Sequence, residues 1–186
     1  MASKTQICNR ALSIIGEEAV VNIDSVNTKP ARVIASMYDS VRDAMFAIIP
    51  WNFATKRVSL APDADAPTWG WTYAYTIPTD FISLYRIYEN PPYVFEGGKI
   101  LTDEGTVLKI QYIAKITNTE QYSPSFNEAF SSRLALEAIE IITQSNTKKA
   151  DLFEVYKLKL NEAMRIDALE NPIEYTEEDD WVLARL

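Results

Sequence analysis

Residues 29–54 read KPARVIASMYDSVRDAMFAIIPWNFA, and this stretch decides the fold. Val33, Ile34, Met37, Tyr38, Val41, Met45, Phe46 and Ile49 recur at intervals of three and four. That period lines side chains along one face of an α-helix, here for about five turns. Pro30 suits a first helical turn, where its missing N–H has no partner to lose. Pro50 ends the run, because its ring disfavours the α conformation in the residue before it. Trp51, Asn52 and Phe53 follow at once, so the chain turns a corner carrying two large rings. A long helix with one apolar stripe needs partners to cover it.

Working outward supplies them. Upstream, Lys4 to Ile15 has helical period, with Ile7, Ala11, Leu12, Ile14 and Ile15 as its stripe. Ser3 and Gln6 have capping-box spacing, and Gly16 stands where a left-handed cap belongs. Glu17 to Asn27 reads as an irregular connection. Downstream, the period changes from Lys56 to Ile116. Arg57–Leu60, the alternating Trp71, Tyr73 and Tyr75, the run Ile82–Tyr88, and Val107–Ala114 read as strands. Ile82, Leu84, Arg86 and Tyr88 fall on one alternating face, Tyr85 and Ile87 on the other. Tyr93–Glu96 and Lys99–Thr102 flank Gly97-Gly98, a hairpin signature. Pro78-Thr79-Asp80 and Glu104-Gly105 read as turns. This predicts one small, mostly antiparallel sheet of four or five strands.

Helical period then returns. Ser123 can cap and Pro124 can start a helix whose stripe is Phe126, Phe130, Leu134, Ala138, Ile141 and Ile142. A fourth helix, Lys148 to Ala168, is predicted to bury Phe153, Tyr156, Leu160 and Ala163 or Met164. The expected class is α+β, mainly α. Residues 1–55 and 117–170 are expected to close as a four-helix bundle, residues 56–116 to form an inserted antiparallel β subdomain, and residues 171–186 to form an extended acidic docking tail.

Composition excludes more than it assigns. The chain has 186 residues, no histidine, one cysteine and a net charge of −8. Without histidine there is no Ser-His-Asp or Cys-His nucleophile system, and the usual zinc and non-haem iron sites are missing. Cys8 cannot form an intrachain disulfide, and a lone buried thiol fits a reducing compartment. No apolar run approaches the ~20 residues of a membrane span, and Met1 to Gln6 carries no signal-peptide core. Glycines at phosphate-binding spacing are absent, and Asp63-Ala64-Asp65 lacks the glycine that a calcium loop needs. The acid pairs Glu17-Glu18, Asp63 with Asp65, Asp103-Glu104, and Glu137 with Glu140 are expected on the surface. No catalytic, cofactor-binding or metal-ligating residue is assigned.

Two features invite a binding role. Trp69, Trp71, Tyr73, Tyr75, Tyr85, Tyr88, Tyr93 and Phe95 crowd the β segment. A platform for stacking nucleic-acid bases needs interleaved cations, and Arg86 is the one base between Gly70 and Gly98. The aromatic set is therefore expected to fill the sheet's core and contacts. The tail differs, because six acids and one base lie between Leu169 and Leu186, with apolar anchors among them. Tyr175, Trp181 and Leu183 beside Glu177, Glu178, Asp179 and Asp180 read as a segment that docks on a partner or a neighbouring subunit, the alternative being a simply solvated, disordered tail.

Tyr38-Asp39-Ser40-Val41-Arg42, then Pro50-Trp51-Asn52-Phe53-Ala54, resembles the signature of the phage head-to-tail adaptor, or tail tubular protein A-like, family. Trp69-Gly70-Trp71 with Tyr73, Tyr75, Pro78 and Asp80 is similar to a second stretch of that family. Gly98–Asp103, Tyr112-Ile113 and Pro124–Ala129 continue the likeness, collinear from about Ser3 to about Ala168. The resemblance implies a structural virion protein and not an enzyme, assembled in the host cytoplasm and resident at the head–tail junction. It implies a ring of copies, twelve in that family, between the portal protein and the tail nozzle protein. Double-stranded DNA would pass through the lumen without specific binding, and a net-negative wall would repel phosphate within a Debye length of ~8 Å. Rival readings are a neck or head-completion protein of a long-tailed phage, a tail-associated peptidoglycan hydrolase, and a regulatory binding module.

Overall fold

The structure is a computed structural model, which describes residues 2–25, 27–105, 107–143 and 146–171. Four helices, α1 (Lys4–Ile15), α2 (Lys29–Phe46), α3 (Pro124–Thr143) and α4 (Asn146–Glu170), flank a β segment in the sequence. The described strands are β1 (Thr55–Leu60), β2 (Tyr73–Thr76), β3 (Phe81–Ile87), β4 (Tyr93–Glu96), β5 (Lys99–Thr102) and β6 (Leu108–Ala114). The protein is mixed α+β.

The local signals at α1 act as expected. Ser3 accepts the Gln6 N–H at 3.2 Å, and the Gln6 side chain accepts the Ser3 N–H at 2.8 Å. Gly16, at φ 92°, closes the helix in the left-handed region that side chains with a Cβ avoid. α2 stops at Phe46, three residues short of the expected Ile49. The Trp51 indole N–H donates to the Met45 carbonyl at 2.8 Å, so the aromatic corner satisfies one of the helix's terminal acceptors.

The helices assemble around α3, against which α1, α2 and α4 all pack. Its sequence fits that place. Phe126, Phe130, Leu134 and Ile139 fill volume, while Ala129, Ser131, Ala135 and Ala138 let neighbours approach; all are buried. The expected stripe holds as far as Ala138 and then turns. Ile139 is buried, whereas Ile141 is exposed and Ile142 half-buried. On α4, Tyr156 and Ala163 are buried as expected, but Phe153 is 43 % exposed. Its ring instead carries the Lys157 ammonium 4.9 Å from its centroid. α4 covers one side of α3 and leaves its own far side in water.

The expected single sheet is two. β6 lies between β1 and β3, and β5 lies between β2 and β4, every pair antiparallel. Consecutive strands β2 and β3 belong to different sheets, because the Pro78 turn redirects the chain between them. There the Pro78 carbonyl accepts the Phe81 N–H at 3.1 Å, and the Asp80 carbonyl accepts Lys115 N–H at 2.6 Å. Gly97 (φ 58°) and Gly98 (φ 75°) make the β4–β5 hairpin, whose turn needs two positive φ angles in a row. The sheets meet through stacked rings. Phe81 lies 5.6 Å from Phe95 of β4 and 5.7 Å from Tyr112 of β6, both nearly parallel.

Truncating a large ring at the centre of such packing leaves a cavity that rigid neighbours cannot fill. Phe126→Ala is expected to cost about 3–5 kcal/mol in urea-induced unfolding. Phe153→Ala, on the outer side of α4, is expected to change stability by less than about 1 kcal/mol.

Candidate functional site

The motif residues that follow α2 sit where helices and strands meet. Trp51 is buried and meets Phe126 edge-on, with ring centroids 5.0 Å apart. Phe53 touches Phe46, Tyr122 and Phe126, with centroids between 5.0 and 5.8 Å. Pro50 is exposed at the bend itself. Asn52 reaches the far end of the chain. Its N–H donates to the Asp167 carboxylate at 3.1 Å, and its side-chain amide donates to the Asp167 carbonyl at 2.6 Å. One short segment thus joins α2, the start of α3, the last turn of α4 and the entry to β1.

Tyr38, Asp39 and Arg42 lie further up α2. Tyr38 is buried against Phe130, ring centroids 5.1 Å apart. The Arg42 side chain is 4 % exposed and is held by Asp39 at 2.6 Å and Asp43 at 2.7 Å. Asp43 also binds Lys115, just after β6, at 2.8 Å. Burial works against the guanidinium's charge, but its hydrogen bond to Asp43 and the two carboxylates outweigh it and hold its pKa above the usual value. The chain Asp39–Arg42–Asp43–Lys115 ties the helical part to the strand that leaves the sheet.

The remaining expected residues are scattered. Trp69 is 86 % exposed, Trp71 is half-buried outside any strand, and Pro78 forms the turn between sheets. Tyr175, Glu177, Glu178, Asp179, Asp180, Trp181 and Leu183 lie outside the described residues. Of the acid pairs of the described chain, Asp63, Asp103, Glu137 and Glu140 make surface contacts. Glu137 binds Arg133 at 2.7 Å, and Glu140 binds Lys149. Asp63 accepts from Thr76 and from Lys99 at 2.7 Å, which pins the proline-rich loop to β2 and β5. Among the described residues no group of three or more acids or Cys8 is placed to hold a metal ion. Cys8 is buried, and burial pushes its thiol up to about 12, so it is a poor nucleophile near neutral pH.

The outer face of the β1–β6–β3 sheet is the feature that sequence reasoning missed. The register sets Arg57 of β1 and Arg86 of β3 on either side of Gln111 of β6. Lys109 lies one step along β6 on the same face, two residues from Gln111. Arg57, Arg86 and Lys109 are all exposed. Arg86 donates to the Gln111 side chain at 2.7 Å. A register shift between Leu84 and Arg86 breaks the expected alternation and leaves Tyr85 exposed beside Arg86. The Arg86 guanidinium lies 5.9 Å from the Tyr85 ring, and the Lys109 ammonium 5.2 Å from the Tyr88 ring. Arg57 and Lys109 lie outside the interval that seemed to hold one base. Only strand pairing across fifty-odd residues shows them beside Arg86.

No protein-family model matches the chain, and a search of curated proteins finds no match.

Asp167 gives the junction a pH dependence. Its burial raises its pKa above the usual 3.8, against the lowering effect of the Asn52 N–H and with a smaller raising effect from Glu170. The folded state therefore holds this proton more tightly than the unfolded chain. The contribution of Asp167 to stability is most favourable below pH 3.8 and declines as pH rises through the raised folded value. Asp167→Asn keeps an acceptor oxygen for Asn52 and removes the charge. In thermal melts from acid to neutral pH, this variant is expected to lose the decline attributable to Asp167. Asp167→Ala, which leaves the Asn52 N–H unpaired, is expected to melt lower than Asp167→Asn at neutral pH.

Proposed function

We propose that this chain is a structural virion protein, a head-to-tail adaptor that forms a ring between a portal protein and a tail nozzle protein and lets double-stranded DNA pass through its lumen. The observation that carries the reading is the collinear set of motif residues from about Ser3 to about Ala168. Its members Trp51, Asn52 and Phe53 converge on the joint between helices and strands, Arg42 is tied through Asp43 to Lys115 just after β6, and Tyr38 packs further up α2 against Phe130. In this reading α1 to α4 close as one four-helix bundle from residues 1–55 and 117–170. Residues 56–116 project from it as a β subdomain, and residues 171–186 dock on the portal or on a neighbouring copy. Side-to-side contacts between copies would be heterologous, with rotation closing the ring, which the dodecameric count of the resembled family satisfies.

The chemistry of these side chains supports a conduit better than a catalyst. Glu137 and Glu140, the pair on the apolar helix α3, are each engaged with a surface cation, not held across a cleft with one proton between them. An acidic wall at net charge −8 slides past phosphate without gripping it.

Native mass spectrometry of the chain with and without the portal ring encoded beside it tests the proposal. A portal complex that gains a full ring of this chain is the expected result. No association at concentrations well above micromolar, at two salt concentrations, would overturn the adaptor reading.

A further inference from the structure

We infer that the outer face of the β1–β6–β3 sheet binds single-stranded nucleic acid, with phosphates on Arg57, Arg86 and Lys109 and unpaired bases on the rings of Tyr85 and Tyr88. A single strand is held without sequence preference by two things together, cations that track its backbone and aromatic rings on which its bases stack. In the sequence the rings are present and the cations seem missing, since Arg86 alone lies between Gly70 and Gly98. Strand pairing supplies two more. Arg57 of β1 and Arg86 of β3 stand on either side of Gln111, and Lys109 follows on the same face. None of these three cations has a carboxylate partner among the described residues, although acids outnumber bases by 26 to 18 in the chain.

The face has the shape as well as the charge. Arg57, Arg86, Lys109, Gln111 and Tyr88 line a groove of about 380 Å³, and no acid lines it among the described residues. Arg57 and Gln111 also line the groove beside it, together with Tyr85. The two grooves form one track across the sheet, with a ring in each. The outer strands are only ~10 Å apart, so one short strand reaches the cations of both. Tyr85 and Tyr88 are 50 % and 62 % exposed. Each ring stands beside a cation, Tyr85 by Arg86 and Tyr88 by Lys109, so a stacked base brings its phosphate to positive charge. Acids stand at the ends of the track, Glu170 in the Tyr85 groove and Glu89 and Glu104 beyond Tyr88 and Lys109. The net charge of −8 repels nucleic acid at a distance, but within a Debye length of ~8 Å the local cations decide. Paired bases do not reach the rings. Duplex DNA is offered the cations alone, so this face does not hold a duplex that passes through a lumen. The inference does not rest on the adaptor reading, and it is tested on the isolated chain.

The experiment is fluorescence anisotropy of a fluorescein-labelled DNA single strand of about 12 nucleotides, mixed in sequence, and of its duplex, with the full-length protein. Wild type is expected to bind the single strand with a Kd of about 1–100 µM at roughly 0.15 M salt, and the duplex at least about tenfold more weakly. With three phosphates engaged, the logarithm of the association constant is expected to fall against that of salt with a slope of about −2. A charge variant (Arg57→Gln, Arg86→Gln, Lys109→Gln) is expected to bind at least about tenfold more weakly, with the slope flattened toward zero. A ring variant (Tyr85→Ser, Tyr88→Ser) is expected to lose about tenfold or more and to keep the slope. An α4 variant with the same loss of charge (Lys157→Gln, Lys159→Gln, Arg165→Gln) is expected to bind as wild type does. Without any substitution, amide resonances of residues 57–59, 85–88 and 109–111 are expected to move most when the strand is added. No binding at about 100 µM, or resonance shifts centred elsewhere, would overturn the inference. Duplex bound as tightly as single strand, or a ring variant that binds like wild type, would reduce the face to a plain phosphate site and sink the stacking claim. Equal losses in the charge and α4 variants would sink it as well. A polyglutamate peptide that moves the same resonances at lower concentration than the strand would replace it with an acidic protein partner.

Discussion

Phe46, Trp51, Phe53, Tyr122 and Phe126 form a knot of rings in which every member touches at least two others. The knot takes one side chain from the end of α2, two from the corner after it, one from the connection that returns from the sheets, and one from the first turns of α3. Aromatic contacts of this kind add about 0.5–1.5 kcal/mol per pair beyond the area they bury. The geometry also fixes direction, because edge-on rings tolerate little rotation. The angle at which β1 leaves the helices follows from how Trp51 seats on Phe126. Polar contacts then lock the same joint: the Trp51 indole on the Met45 carbonyl, the Tyr122 hydroxyl on the Ile116 carbonyl, and Asn52 on Asp167.

Around that joint the charges are ordered by use. Arg42 is the buried cation and keeps two carboxylates. Asp80 binds Lys56 and the Tyr112 hydroxyl, and these partners, against the cost of its partial burial, hold its carboxyl below the usual range. These pairs stand at corners where the chain changes sheet or leaves it. Exposed pairs such as Lys157 with Glu154 add little, since water and salt screen them. Against this background the three cations on the outer sheet face stand apart. A corner pair has a structural reason to exist, whereas Arg57 and Lys109 have no such carboxylate among the described residues. That contrast sets the face apart from the corner pairs.

The sheet bulge at Tyr85 shows how small a backbone event can decide a surface. With strict alternation, Tyr85 would share a face with Ile87, which is buried. The extra residue opposite Gln111 leaves Tyr85 and Arg86 both in solvent. A platform of two tyrosines and three cations exists because one strand carries a residue more than its partner accommodates.

Sequence by itself determined what depends on neighbours in the chain. The α1 caps, the Pro124 start, the Gly97-Gly98 hairpin and the α-β-α order are set by interactions within four residues, and those are written in the order of side chains. It also determined that no helix runs past Pro50, so Trp51 and Phe53 turn a corner, although α2 itself stops earlier, at Phe46. Tertiary structure alone decided which strands pair, and so whether there is one sheet or two. Strand pairing is a choice among distant partners of similar apolar content, and alternation does not rank them. It alone buried Ile139 in place of Ile141 and left Phe153 outside, since a stripe's edge is set by where the neighbouring helix ends its cover. And it alone assembled the basic face, because Arg57, Arg86 and Lys109 are strangers in sequence until hydrogen bonds between β1, β6 and β3 put them in register.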